Sequence, residues 1–108
     1  MKNLLRPKMG LLALAGVVLT QVSAMAISPQ ALAQQKGCFA CHAIDHKVVG
    51  PAWKDVAAKY HHNLKYVQYL AKHIKNGNAG IWGPVPMPPQ NVTQAQAEEL
   101  ARFILSLH

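Results

Sequence analysis

The feature that most limits what this chain can become is a run of five residues, Cys38-Phe39-Ala40-Cys41-His42. Two thiols three residues apart stand one helical turn from each other, and a histidine follows at once. That spacing suits a covalently bound haem: the thiols add to vinyl groups on adjacent pyrroles, and the imidazole is then aimed at the iron. It also answers a problem of size. The chain has 108 residues, and a domain this small buries limited apolar surface. Cys38 and Cys41 are its only cysteines, and they lie too close in sequence to staple much as a disulfide. A large flat prosthetic group supplies the missing centre.

Other uses of the motif make different demands. A thioredoxin-like C-x-x-C sits in a βαβ context, and no such strands are legible. A zinc site needs a second pair of ligands at suitable spacing. His61-His62 are the only ready candidates, and adjacent loop histidines are more often solvated. A structural disulfide is the simplest alternative. Two independent features favour haem: an export signal, because haem is normally attached beyond the membrane, and a second iron ligand further along the chain.

The export signal occupies the first residues. Lys2, Arg6 and Lys8 form a basic start, and Gly10 to Leu19 is a short apolar run followed by small residues. About ten apolar residues fall short of the roughly 20 that a bilayer-spanning helix needs, so no stable membrane anchor is expected. Two cleavage sites of small-x-small form compete, Ala24-Met25-Ala26 and Ala31-Leu32-Ala33. Cleavage at the second would cut away Ser28-Pro29, a good N-cap followed by a proline suited to the first helical position. The sequence therefore favours residues 1–26 as signal peptide and 27–108 as the mature domain, in the periplasm.

Charge narrows the partners. The whole chain carries a formal +7. From Ile27 onward, eight basic side chains (Lys36, Lys47, Lys54, Lys59, Lys65, Lys72, Lys75 and Arg102) face Asp45, Asp55, Glu98 and Glu99, a net of +4. These basic residues are scattered and exported, which argues against nucleic acid. A mild positive face suits transient docking to acidic patches on proteins, where charge chiefly raises the encounter rate.

The patterning is helical throughout. Helices are expected over 29–36, over roughly 54–60, over 64–76 and over 94–107. The third carries Val67, Leu70, Ala71 and Ile74 at helical spacing, with Gly77 as its stop. The fourth opens on a Thr93/Gln96 capping box and presents Leu100, Phe103, Ile104 and Leu107 as its apolar stripe. Residues 77–92 hold four of the seven prolines and three of the seven glycines, which excludes regular structure there. An all-α domain with one long, stiff loop results.

That loop contains the second ligand. Met87 lies in Trp82-Gly83-Pro84-Val85-Pro86-Met87-Pro88-Pro89 and is the only methionine after the signal. A buried methionine ordinarily fills gaps in a core. Prolines fix φ and remove donors, so a thioether flanked by four of them is held rather than merely packed. His42 with Met87 would close both axial positions of the iron.

At this point the mature region resembles the bacterial class I cytochromes c of the c-551 and c-552 type. The likeness runs through Lys36-Gly37-Cys38, Cys41-His42-Ala43-Ile44-Asp45, Val49-Gly50-Pro51, residues 54–60, Ile74-Lys75-Asn76-Gly77, Trp82-Gly83 and Pro86-Met87-Pro88-Pro89. It covers essentially everything from Ser28 onward. The resemblance implies a small class I fold around one haem c. It implies that the Pro51 carbonyl accepts from His42 Nδ1 and that the Trp82 indole reaches a haem propionate. It puts the Gln90 amide near the Met87 sulfur and His73 near a propionate, where protonation would couple to the iron charge. Trp53 stands where the family often has tyrosine, so any hydrogen bond made there by a hydroxyl is absent. His46, His61, His62 and His108 are expected at the surface.

The implied function is electron carriage rather than catalysis. Histidine–methionine ligation keeps the iron six-coordinate and raises its potential. The resemblance suggests a monomer that shuttles electrons from a bc complex to a terminal oxidase or a haem-containing nitrite reductase. Lys36, Lys47 and Lys54 would ring the exposed haem edge. Two other readings stay open: an enzyme or gas sensor, if Met87 is not on the iron, and a haem subunit of a larger oxidoreductase.

Overall fold

The computed structural model describes residues 15–19 and 27–108. Lys2, Arg6, Lys8 and the Ala24-Met25-Ala26 cleavage site lie outside the described residues, as does Gly10 with the first part of the apolar run. No described helix is long and apolar enough to cross a membrane.

Four α-helices follow one another: α1 (Pro29–Gln35), α2 (Trp53–Lys59), α3 (Val67–Asn76) and α4 (Gln94–Leu105). Short 3-10 turns occupy Cys38–Ala40 and Leu64–Tyr66. Among the described residues there is no strand, only two isolated bridges, His42 with Lys47 and Asn78 with Met87. The all-α expectation therefore holds.

Local chemistry accounts for the helix ends. Ser28 caps α1, its hydroxyl accepting from Ala31 N at 3.1 Å, with Pro29 at the first position. Thr93 and Gln96 form the full capping box of α4, at 3.1 and 3.0 Å. Boundaries differ from the sequence reading in every helix, α1 stopping one residue short at Gln35 and α2 at Lys59. The third helix starts at Val67 because Asn63 accepts from Lys65 N at 2.9 Å and winds Leu64–Tyr66 as a tighter turn. The fourth ends at Leu105, where the Ser106 hydroxyl donates to Phe103 O at 2.6 Å and closes the last turn. The second helix begins one residue early, at Trp53.

α4 is the hub, packing on α1, α2 and α3. Leu32, Leu100 and Leu105 are the largest fully buried side chains, and burying each stabilises the fold by about 1.5–3 kcal/mol. At the α3–α4 junction, Gln68 Nε2 donates to Glu98 Oε1 at 2.9 Å. That bond and one from Gln94 hold the Glu98 carboxyl below the usual carboxylate range.

The expectation for His62 is corrected. It is half-buried; its Nδ1 donates to Leu105 O at 3.2 Å, and its ring stacks on His108 at 4.2 Å. His61 and His62 both take φ of 53°, in the left-handed region, and turn the chain sharply after α2. That turn brings His62 under the end of α4. His46, His61 and His108 are exposed as expected.

Candidate functional site

Between Lys36 and Trp53 the chain folds almost entirely on itself. Gly37 takes φ of 75° and lets the chain leave α1 and wind the Cys38–Ala40 turn. Cys38 O accepts from Cys41 N at 3.2 Å and from His42 N at 3.0 Å. Cys41 O in turn accepts from Val49 N at 3.2 Å and from Gly50 N at 2.7 Å, folding residues 42–49 into a closed loop. His42 is thereby set against Pro51, and its Nδ1 lies 2.8 Å from Pro51 O. A carbonyl only accepts, so Nδ1 carries the proton and Nε2 keeps a free lone pair. That is the state a metal-binding imidazole needs. Gly50 is required by this approach: a Cβ there would sit 2.5 Å from His42 Cε1 and 2.9 Å from Nδ1.

Trp53, 3% exposed, backs this segment. Its ring centroid lies 5.8 Å from that of His42, 5.1 Å from Phe39 and 6.1 Å from Phe103.

Residues 77–92 form the second wall. Gly77 ends α3 with φ 78° and ψ 172°, a conformation essentially reserved for glycine. A Cβ there would lie 2.6 Å from Met87 O. The next residue, Asn78, exchanges both backbone hydrogen bonds with Met87, at 3.0 and 2.8 Å.

One cleft collects Cys38, Cys41, His42, Pro51, Trp82 and Met87, the six residues singled out from the sequence. His73 and Gln90 line it too. Its apolar floor comes from helices, including Val56, Leu70, Ile74 and Leu100. Of the three lysines expected at the rim, Lys47 lines the cleft; Lys36 and Lys54 do not.

The chemistry of this lining fits a haem. Both cysteines are free thiols. Burial pushes the Cys38 thiol up from its ordinary value, with its own backbone pulling back weakly. A redox C-x-x-C instead holds a thiolate at depressed pKa, so the environment of Cys38 opposes that reading. Among the described residues no group of three or more His, Cys, Asp or Glu side chains forms a metal cluster.

Other placements refine the sequence reading. Burial lowers the pKa of the His73 imidazole, and the charge of Lys72 adds to the effect. Its ring meets that of Tyr69 edge-on at 4.3 Å. Trp82 stands at the rim, 37% exposed, with Lys59 Nζ 5.2 Å from its ring centroid. Gln90 is corrected. Its Nε2 donates to Pro88 O at 2.8 Å, and the amide on the Met87 sulfur is that of Asn78, Nδ2 to Sδ at 3.7 Å. Asn78 was not legible as a site residue. It follows a helix-stop glycine, where asparagine is ordinary turn chemistry, and only the return of the loop brings Met87 opposite it.

Comparison with known proteins gives a consistent result. A family model described as cytochrome c matches residues 29–108. Cytochrome c-552 of Hydrogenobacter thermophilus is 50% identical over 91 residues, covering 84% of this chain and 93% of the relative. Cytochrome c-551 of Stutzerimonas stutzeri is 49% identical over 107 residues, covering 99% of each. The crystal structure of Nitrosomonas europaea cytochrome c552 superposes with a TM-score of 0.70 at 50% identity. The match covers 73% of this chain and 99% of the solved one.

Proposed function

The chain belongs to the cytochrome c family, and on that premise we propose that His42 and Met87 hold the iron of its haem between them. It is a small monohaem electron carrier of the c-551/c-552 type, not an enzyme, with haem c bound covalently through its cysteine pair. The bound haem supplies a one-electron couple; the chain's own residues attach it, ligate it and keep water from it.

The observation that carries the proposal is the meeting of Cys38, Cys41, His42 and Met87 in one cleft, delivered by two separate segments. Cys38 and Cys41 anchor the haem. His42 offers Nε2 to the iron while Pro51 O holds Nδ1. Met87 offers its sulfur from the proline-rich loop. Held by both side chains, a bound haem would change oxidation state without a change of ligand. Thioether with imidazole raises the potential, within the roughly 0.8 V that axial ligands span. Trp82, at the rim, would hold a propionate through its indole N–H.

The partners are those the family resemblance implies. The donor is a quinol-oxidising bc complex, and the acceptor a terminal oxidase or haem-containing nitrite reductase. Docking is brief and weakened by salt, because the positive charge is modest and exposed. The working protein is a periplasmic monomer of residues 27–108, freed from a signal peptide of residues 1–26. In support, the family match begins at residue 29, and 73% of this chain accounts for 99% of the solved relative.

The deciding experiment is Met87→Ala in the exported holoprotein. Loss of the oxidised protein's sulfur-to-iron charge-transfer band, a lower potential and new carbon monoxide binding are expected. An unchanged spectrum would show that Met87 is not a ligand and would favour an open-iron sensor or enzyme.

A further inference from the structure

Trp82 is weakly tethered by its own backbone. It stands between two glycines in the left-handed region, Gly80 at φ 82° and Gly83 at φ 126°. A Cβ at either would meet nothing within 4 Å, so both glycines serve the turn of the chain and not a close approach. Between Gly80 and Pro86 the described backbone makes no hydrogen bond. What reaches the indole is a cation from the helical frame. Lys59 is the last residue of α2, and its Nζ lies 5.2 Å from the Trp82 ring centroid. That is inside the roughly 6 Å over which a cation and an aromatic face attract. Lys59 is exposed, and among the described residues the ion pairs are Asp45 with His46 and Glu98 with Arg102, so no carboxylate draws its ammonium away. The other such contact, Lys65 over Tyr66, joins sequence neighbours and spans no gap.

We infer that Lys59 is the positioning residue of Trp82: its ammonium latches the indole to α2 and strengthens the indole N–H as a donor, which raises the reduction potential of the bound haem. The inference rests on the role of Trp82 proposed above. The face of an aromatic ring is negative and its edge positive, and the indole N–H lies at the edge. A cation over the face draws π density toward itself and leaves the N–H more positive. It also holds the ring against rotation about its side-chain bonds, which a backbone flanked by glycines cannot do. A propionate is negative and favours the oxidised, more positive iron. A stronger donor disperses that negative charge, so the reduced state gains and the potential rises. Trp82 lines the cleft and Lys59 does not, so Lys59 acts through the indole.

Three variants of the exported holoprotein test the assignment. Lys59→Met keeps the aliphatic stem and removes the charge. It should lower the potential. In the reduced, diamagnetic protein, nitrogen-15 NMR should then find the Trp82 indole N–H exchanging with solvent roughly two- to fivefold faster, the equivalent of one exposed cation–π contact. Lys59→Arg keeps a cation that stacks on an aromatic face and should restore both readouts. Trp82→Phe keeps a ring face and removes the N–H. In that background Lys59→Met should shift the potential far less. An equal shift with and without the indole N–H overturns the inference, because Lys59 then acts as an independent charge. Lys59→Arg behaving like Lys59→Met overturns it too. A purely structural latch would speed N–H exchange and leave the potential unmoved, and that result refutes the inference. The two proposals fail separately. Trp82→Phe of unaltered potential defeats the propionate contact on which both rest. Trp82→Phe of lowered potential, beside Lys59→Met of unaltered potential, defeats only the role of Lys59.

Discussion

The two segments that present His42 and Met87 are built in different ways. The His42 segment is a dense local fold. Cys38 O and Cys41 O each accept two backbone hydrogen bonds, Trp53 N and Lys54 N bond back to Ala43 O and Ile44 O at 3.0 Å, and Pro51 fixes the ring. The Met87 loop relies on much less. Its ends are joined by the Asn78–Met87 pair and by Gln90 N on Ile74 O at 3.1 Å. Between Gly80 and Pro86 the described backbone makes no hydrogen bond of its own, and proline stiffness takes the place of a ladder. Opening of one part before the rest is general in proteins, and it begins where backbone bonding is sparse. The methionine side should therefore release first under heat, denaturant or competing ligand, while the histidine side stays until the whole domain unfolds.

The harshest way to test that contrast is to remove the covalent anchor. Cys38→Ala with Cys41→Ala takes away the attachment and with it the larger part of the core. The product should be mostly unfolded by circular dichroism and lack haem by mass. A folded, haem-free variant in good yield would mean that the helices alone organise the His42 segment.

A matched pair of glycine substitutions sharpens the comparison. Gly50→Ala places a methyl group against the His42 ring, and Gly77→Ala strains a positive φ and crowds Met87 O and Pro89 N. Each should cost about 1–3 kcal/mol, but at different places. Gly77→Ala should weaken the charge-transfer band well below the temperature of global unfolding. Gly50→Ala should lower the global transition itself. If band and fold were lost together in both variants, the two segments would be one cooperative unit.

Smaller effects probe the frame shared by both. Thr93→Ala breaks the capping box of α4, which underlies both segments, and should cost about 1 kcal/mol. Chemical denaturation should show this as a lower midpoint with the resting spectrum unchanged. Last, burial first and then the neighbouring hydroxyl of Tyr69 push Tyr60 from 10.0 to about 12. Stability owed to the neutral phenol is complete below the ordinary value and is lost as pH rises through about 12. Ultraviolet titration of the protein against Tyr60→Phe should show one phenol ionising well above the ordinary value that the variant lacks. A step near the ordinary value would place Tyr60 outside the core.

How far the site could be read in advance depended on sequence distance. Cys38, Cys41 and His42 are neighbours, so their spacing pointed to the chemistry, and the export signal and Met87 weighed against its rivals. Pro51 lies nine residues from His42, and its contact with the ring, expected only through the resemblance, is present at 2.8 Å. Asn78 and Met87 are also nine residues apart, yet nothing along the loop announces that they meet. A proline-rich segment has no periodicity from which to infer which residues face each other. The same limit misplaced His62: adjacent histidines read as a solvated pair until two left-handed residues turned one of them under the end of α4.

Local chemistry, written in short spacings, was decided by the sequence itself: the motif that takes the haem, the caps that start α1 and α4, the glycine that stops α3, and a loop too rich in proline to be anything regular. Those outcomes depend on groups within a few residues of one another, whose geometry the backbone restricts to a few forms. The tertiary structure decided the rest. It gathered two independent segments around one cleft, gave the Met87 sulfur the Asn78 amide rather than that of Gln90, and set Lys59 over Trp82. Such contacts depend on where a chain returns in space. That return is fixed by the burial of α1, α2 and α3 against α4, which no single stretch of residues contains.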